Sequence, residues 1–243
     1  MASATPSTIG HWLRCFAIIS LIALPIAVIG YRFHLYDFSV ASKILAASLL
    51  ISAITFLVAS VVNIVKRNQQ GYGAAQQAWA ICLIPLVFLG SQIVIARSLP
   101  MIHNISTDVN DPPQFQKVIA LRGDNSNPHE YNATTHAELQ QAAYPEIKTL
   151  IVKDSPDLAY RKSMAVAVIL GWEIVNKDSN KRLVEATQTT SLWQFKDDVI
   201  IRIQATGEQQ SKIDLRSVSR VGRSDLGANA KRIQRFFEAY KGL

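Results

Sequence analysis

Cysteine is nearly absent from this 243-residue chain: there are two, Cys15 and Cys82, and both fall in long apolar runs. Residues 101–243 have none, which excludes a disulfide, a thiolate nucleophile or a cysteine metal site there. Histidine is scarce too. His103, His129 and His136 are the only ones in that part, and they show no HExxH pattern or i, i+4 spacing, which argues against zinc. No GxSxG frame surrounds Ser217, Ser219 or Ser224, and no P-loop or dinucleotide glycine pattern occurs. The chain therefore offers no recognisable catalytic frame, and no cofactor or metal is expected.

Charge is missing from three stretches: Cys15 to Gly30, Ile44 to Val65 and Ala78 to Ala96. A hydrocarbon core of about 30 Å needs about 20 apolar residues in a helix. Lipid leaves helices as the reasonable conformation for such runs, since every backbone group must be satisfied internally. The sequence thus predicts a membrane anchor over 1–97, with helices at about 12–31, 44–65 and 78–96. A cleaved signal peptide is the competing reading of the first run. The thin basic start and the lack of a small-x-small site before Tyr31 favour a retained span. Arg14, Lys66 and Arg67 lie on one side, and Arg32, Lys43 and Arg97 on the other, so the positive-inside rule is nearly balanced. The reading adopted is an integral protein of a bacterial inner membrane, N-terminus inside, with the C-terminal domain extracytoplasmic.

The net charge of +7 is uneven. Residues 101–243 carry nineteen basic and seventeen acidic side chains, yet the last 32 residues carry eight and three. Such an end suits anionic lipid, an anionic ligand or an acidic protein partner. Nucleic acid is not expected, because no binding motif accompanies the charge.

Residues 98–145 lack periodicity and are rich in Asn, Asp, Pro and Gly, which predicts an extended loop segment. Order returns over 146–243. Ser155-Pro156-Asp157 reads as a helix start, followed by an apolar stripe of Leu158, Ala165, Val166, Val168 and Ile169, with Gly171 as the stop. Trp172 to Val175, Leu183 to Thr190, Val199 to Ala205 and Ile213 to Val221 are strand candidates. Ser224 or Asp225 then caps a closing helix that covers the sheet with Leu226, Ile233, Phe236, Phe237 and Tyr240. The fold class expected is a three-helix transmembrane anchor plus an α+β soluble domain, with an antiparallel sheet of about four strands and two helices on one face.

Two groups of residues carry candidate chemistry. Strand alternation puts Arg216 and Arg220 on one face and aligns Arg202 with them on the preceding strand. With Ser217, Arg223, Ser224, Asp225, Asn229 and Arg232 they form a candidate ligand- or partner-binding set beside a helix start, suited to an anion. The alternative is internal pairing of the arginines with Asp214, Glu185 or Asp225. The second group is Asp108 and Asp111, ahead of Pro112-Pro113. Two such carboxylates can divide acid and base roles or hold a hard cation, although loop aspartates more commonly close turns. Asp197-Asp198 reads as a solvated turn.

The run from Arg216 to Gly227, extended by Asn229 to Ile233, resembles the bacterial family catalogued as domain of unknown function 1499. Ile102 to Asp108 with Asp111-Pro112-Pro113 and Phe115 resembles that family's opening motif. Tyr144-Pro145, Gly171-Trp172, Glu185-Ala186 and Phe195 to Val199 follow in order. The resemblance covers about 101–240. It implies a single compact domain, often envelope-associated, and no activity. The function expected is a membrane-anchored envelope protein whose domain binds a partner or an anionic ligand near the bilayer. The alternative is an enzyme on envelope or lipid-linked substrates, using Asp108 or Asp111 and the arginines.

Overall fold

The computed structural model describes residues 8–65 and 72–243. Lys66 and Arg67, used above to weigh orientation, lie outside the described residues. The chain divides into two compact units, Met1–Ile95 and Ala96–Leu243.

The first unit holds three helices, α1 (Thr8–Arg32), α2 (Phe38–Val65) and α3 (Gly73–Ser98). Each is long and apolar enough to cross a membrane, the mark of an integral membrane protein. Their buried positions are mostly small: Ala17, Ser20 and Ala27 of α1, Ser48, Ser52 and Ala59 of α2, Ala75 and Ala78 of α3. Ile18, Ile22, Leu50, Leu57 and Val87 point outward. That is the arrangement lipid imposes, with close backbone approach inside and large aliphatics outside. Ser48 Oγ donates to the Ser20 carbonyl at 2.7 Å, giving a polar link between α1 and α2.

The second unit is an antiparallel sheet with helices. Its elements are β1 (Asn104–Ser106), a 3₁₀ turn (Val118–Leu121), α4 (Ala133–Ala143), β2 (Leu150–Val152), α5 (Pro156–Ile169), β3 (Glu173–Asp178), β4 (Leu183–Thr189), β5 (Lys196–Gly207), β6 (Gln210–Ser219) and α6 (Ala228–Lys241). The order across the sheet is β1-β6-β5-β4-β3, and β2 also pairs with β6. Six strands thus replace the four expected. The two additional strands, β1 and β2, have three residues each, too few for alternation to register.

The segment 98–145, expected as an extended loop, includes β1, the 3₁₀ turn and α4. The backbone between them is irregular yet fixed by side chains. Gln140 of α4 accepts from the Ser106 N–H at 3.0 Å and donates to the Ser106 carbonyl at 2.6 Å, imitating a strand partner.

β5 and β6 alternate as their sequence requires. Val199, Ile201, Ile203, Ile213 and Leu215 face α5 and α6, joining Val166, Ile233, Phe236 and Tyr240 in the main core. The α5 stripe is a correction. Ala159, Tyr160, Ser163, Val166 and Ala167 are buried, whereas Leu158, Val168 and Ile169 are exposed. Small residues let α5 approach the sheet closely, so size rather than hydropathy selects the inner face. Leu226 is likewise exposed and does not cover the sheet.

The opposite sheet face is packed against an irregular segment that includes the 3₁₀ turn. Residues 108–131 lie over it as a strap, with Phe115 and Val118 packed on Leu183, Ile200 and Val218. Glu185, fully buried, anchors the strap by accepting from the backbone N–H groups of Gln116 (2.6 Å), Lys117 (2.8 Å) and Val118 (3.4 Å). A carboxylate thus satisfies successive amides that no regular element would pair.

Candidate functional site

The register places the sequence-derived candidates in two networks on opposite faces of β6. Arg202 pairs across the ladder with Asp214, and Arg216 with Ile200. Both arginines therefore face the strap, as alternation predicts, and Arg220 continues the row. All three are engaged internally. Arg202 reaches Asp111 Oδ2 at 2.8 Å, Asp214 Oδ2 at 3.2 Å and Asp108 Oδ2 at 3.4 Å. Arg220 binds Asp198 at 2.7 Å and the Leu121 carbonyl at 2.7 Å, and Arg122 binds the same Asp198.

Arg216 is completely buried. Its guanidinium donates to Asn104 Oδ1 at 3.0 Å, the Pro113 carbonyl at 3.0 Å and the His129 carbonyl. It also lies 5.1 Å from the Phe115 ring centroid and 5.7 Å from that of Tyr131. Burial above all lowers its pKa, to about 10, so it stays charged at neutral pH.

Asp108 and Asp111 do converge with Arg202, and they also build a turn: Asp108 Oδ1 accepts from the Asn110 and Asp111 N–H groups. Both carboxylates are occupied in holding the start of the strap.

The second network lies on the helix face. Ser217 Oγ donates to Asn229 Oδ1 at 2.7 Å and accepts from Arg232 at 2.9 Å, while Arg232 also binds Asp197 and Gln188. Asp197 and Asp198 are thus buried anchors inside β5, not a solvated turn. Being adjacent in a strand, they serve opposite faces. Ser224 Oγ donates to the Pro100 carbonyl, and Arg223 is exposed. Gly227, not Ser224 or Asp225, is the N-cap of α6, and Asp225 two residues ahead accepts from the Gly227 and Asn229 N–H groups at 2.9 Å each. Burial raises its pKa, and those two donors oppose the rise.

A cleft of about 490 Å³ opens where α6 begins, between the end of α5 and the end of β4. Trp172, stacked on Phe236 at 5.7 Å, forms part of its wall, with Thr189, Thr190 and Ser191 in the same lining. Two of the sequence candidates, Asp225 and Arg232, reach it. So do Lys231 and Arg235, exposed on α6, which among the described residues have no ion-pair partner. Sequence reasoning did not single out these two cations, although their i, i+4 spacing puts them on one helix face. A second cleft, of about 560 Å³, lies around Arg161 and Arg182, where Arg182 already pairs with Asp157 at 2.8 Å.

Fold and site together define a membrane-anchored α+β domain with a basic cleft. The family model described as protein of unknown function (DUF1499) matches residues 104–240, so the chain belongs to that family. No curated protein matches the chain.

Replacing Arg216 by Met keeps the apolar stem, leaves Asn104 Oδ1 and the Pro113 carbonyl without donors, and leaves the His129 carbonyl with only the Asn104 amide at 3.4 Å. The expected loss is about 3 kcal/mol or more, read as a lower Tm of the full chain in detergent and faster proteolysis within 108–131. Arg216→Lys restores charge without the fork and should recover only part.

His103 and His136 stand with ring centroids 5.5 Å apart, and His103 Nε2 and His136 Nδ1 are buried without partners. Burial is the main cause that lowers both pKa values from 6.5, with Arg122 acting in the same direction on His103, and His103 and Arg216 on His136. The unfolded chain thus binds more protons over the window below 6.5. The stability that the neutral pair contributes is complete above that value and is lost as pH falls toward the folded values. Thermal melts between pH 7.5 and 5.5 should slope down for the wild type, and less for His103→Asn/His136→Asn.

Proposed function

We propose that the protein is an extracytoplasmic binding module held in a bacterial inner membrane by α1 to α3, and that the cleft beside α6 takes an anionic ligand. The observation that carries this reading is the contrast among the cations. Arg202, Arg216, Arg220 and Arg232 are tied to acceptors within the domain, whereas Lys231 and Arg235 face an open cleft with no carboxylate paired to them. Thr189, Thr190 and Ser191 are hydroxyl-bearing residues of the same lining. Cations and neutral donors around one concavity are what a phosphate or carboxylate group needs. The ion pairs of Asp108 and Asp111 with Arg202 favour binding over acid–base catalysis, since a general base needs a carboxylate free to take a proton.

Titrating the detergent-solubilised full chain with pyrophosphate by calorimetry tests the site. Lys231→Glu/Arg235→Glu should weaken binding by about tenfold or more, which is about 1.4 kcal/mol, and added salt should weaken the wild type. Equal affinity in wild type and variant would remove the site. Orientation has its own test. The domain has no cysteine, so an exposed Ala142→Cys in a Cys15→Ser/Cys82→Ser background reports by itself. A membrane-impermeant maleimide should label it in intact spheroplasts; labelling only after lysis would reverse the orientation.

A further inference from the structure

The lining of the α6 cleft also includes Leu170, Trp172 and Leu226, and the exposure of Leu226 is built into the backbone. Leu226 has φ +51 and Gly227 φ +77, so two successive left-handed residues lead into α6. A leucine rarely adopts that conformation, because its Cβ crowds the following carbonyl. Here it leaves Leu226 at the cleft 39% exposed instead of in the core. Gly227 is required beside it. A Cβ there would find room, with Tyr144 Oη at contact distance, but in a backbone conformation that side chains avoid.

Leu170 is a second aliphatic of this lining, and exposed aliphatics adjoin it in the chain. The residues just before it, Val168 and Ile169, are 63% and 64% exposed. Leu192, beside the lining residue Ser191, is 50% exposed. Leu170 and Leu226 in one lining with the unpaired cations Lys231 and Arg235, next in the chain to exposed Val168, Ile169 and Leu192, are the two halves of amphiphile recognition. Asp225 also lines the wall, but both its oxygens accept from backbone N–H groups of α6, which directs its charge into the helix.

We infer that the ligand is an anionic glycerophospholipid of the membrane in which the chain is anchored. Its phosphate lies against Lys231 and Arg235, and the first part of its acyl chains lies along Leu170, Leu192 and Leu226. This rests on the anion-site reading above and adds the lipid to it. Charge complementarity selects the phosphate, and the aliphatic residues select a ligand with a tail. Connectivity favours the source. Only Leu99 to His103 separate α3 from β1, and five residues span at most about 18 Å. The domain is therefore tethered to a bilayer that contains such headgroups.

The test uses the full chain in nanodiscs of phosphatidylcholine doped with phosphatidic acid that carries a photoreactive diazirine in its acyl chain. Adducts are mapped by mass spectrometry, and glycerol 3-phosphate binding is measured in parallel by calorimetry. The expected adducts fall within 168–172, 190–195 and 226, compete with unlabelled phosphatidic acid, and are not reproduced by diazirine phosphatidylcholine. Leu192→Ser and Leu226→Ser should each reduce the adducts and leave glycerol 3-phosphate binding and Tm in place, whereas Lys231→Glu/Arg235→Glu should abolish both signals. Adducts confined to α1–α3, or equal labelling by the zwitterionic probe, would overturn the lipid assignment while glycerol 3-phosphate still reported on the anion site. Loss of neither signal in the charge-reversed variant would overturn the anion site itself.

Discussion

A buried guanidinium holds one side of this domain together. Arg216 is inaccessible to solvent in the middle of β6, with no salt-bridge partner among the described residues, and its donors go to Asn104 on the neighbouring strand and to carbonyls at two points of the strap. Such a charge is costly to desolvate and is tolerated because the acceptors and the flanking rings of Phe115 and Tyr131 replace water. The dependence runs both ways. Without the strap the guanidinium keeps only Asn104 Oδ1, and without the guanidinium the Pro113 carbonyl loses its donor and the His129 carbonyl keeps only the Asn104 amide. Glu185 does the complementary work with a negative charge on strap amides, and Asp198 collects Arg122 and Arg220. An irregular segment thereby covers a sheet face that a helix would otherwise have to cover.

This division explains what could be read in advance. The three spans were legible because lipid requires long uncharged helices. The long strands were legible because one face must be apolar, and alternation even placed Arg202, Arg216 and Arg220 together. The strap was not legible. Its order comes from side chains bonding to backbone groups, which has no period, so 98–145 read as loop. The α5 stripe misled for a related reason: hydropathy ranks Val168 and Ile169 above Ala159 and Ser163, while close packing prefers the small pair. Asp197-Asp198 misled because two adjacent acids suggest solvent, yet each face of β5 has its own arginine waiting.

The candidate site was legible in kind and less so in place. A basic C-terminal stretch beside a helix start was visible, and Asp225 and Arg232 do reach the cleft. What the stretch conceals is that its cations have different tasks. Arg216, Arg220 and Arg232 are inside or nearly so, each with oxygen acceptors arranged around it, and contribute to stability. Lys231 and Arg235 are one helical turn apart on the outer surface and, among the described residues, have no ion-pair partner. The cleft itself joins the end of α5, the end of β4 and the start of α6. No local pattern reports the meeting of three separated segments.

The cleft wall is also bound to the start of the domain. The Asp225 N–H donates to the Ile102 carbonyl at 3.2 Å, Asn229 Nδ2 donates to the His103 carbonyl at 3.0 Å, and Ser224 Oγ donates to the Pro100 carbonyl at 3.2 Å. Asp225 and Asn229 in turn set the first turn of α6, and with it the positions of Lys231 and Arg235 one and two turns along. Asn229 also ties to Ser217 and Ser219 in the central strand β6. The first residues after α3, the core strand and the cationic helix are therefore joined by one small set of side chains. Asn229 cannot be lost without loosening all three, because no apolar residue of its size can both donate to the His103 carbonyl and accept from Ser217. That requirement, rather than contact with a ligand, accounts for an asparagine at a fully buried position beside the cleft.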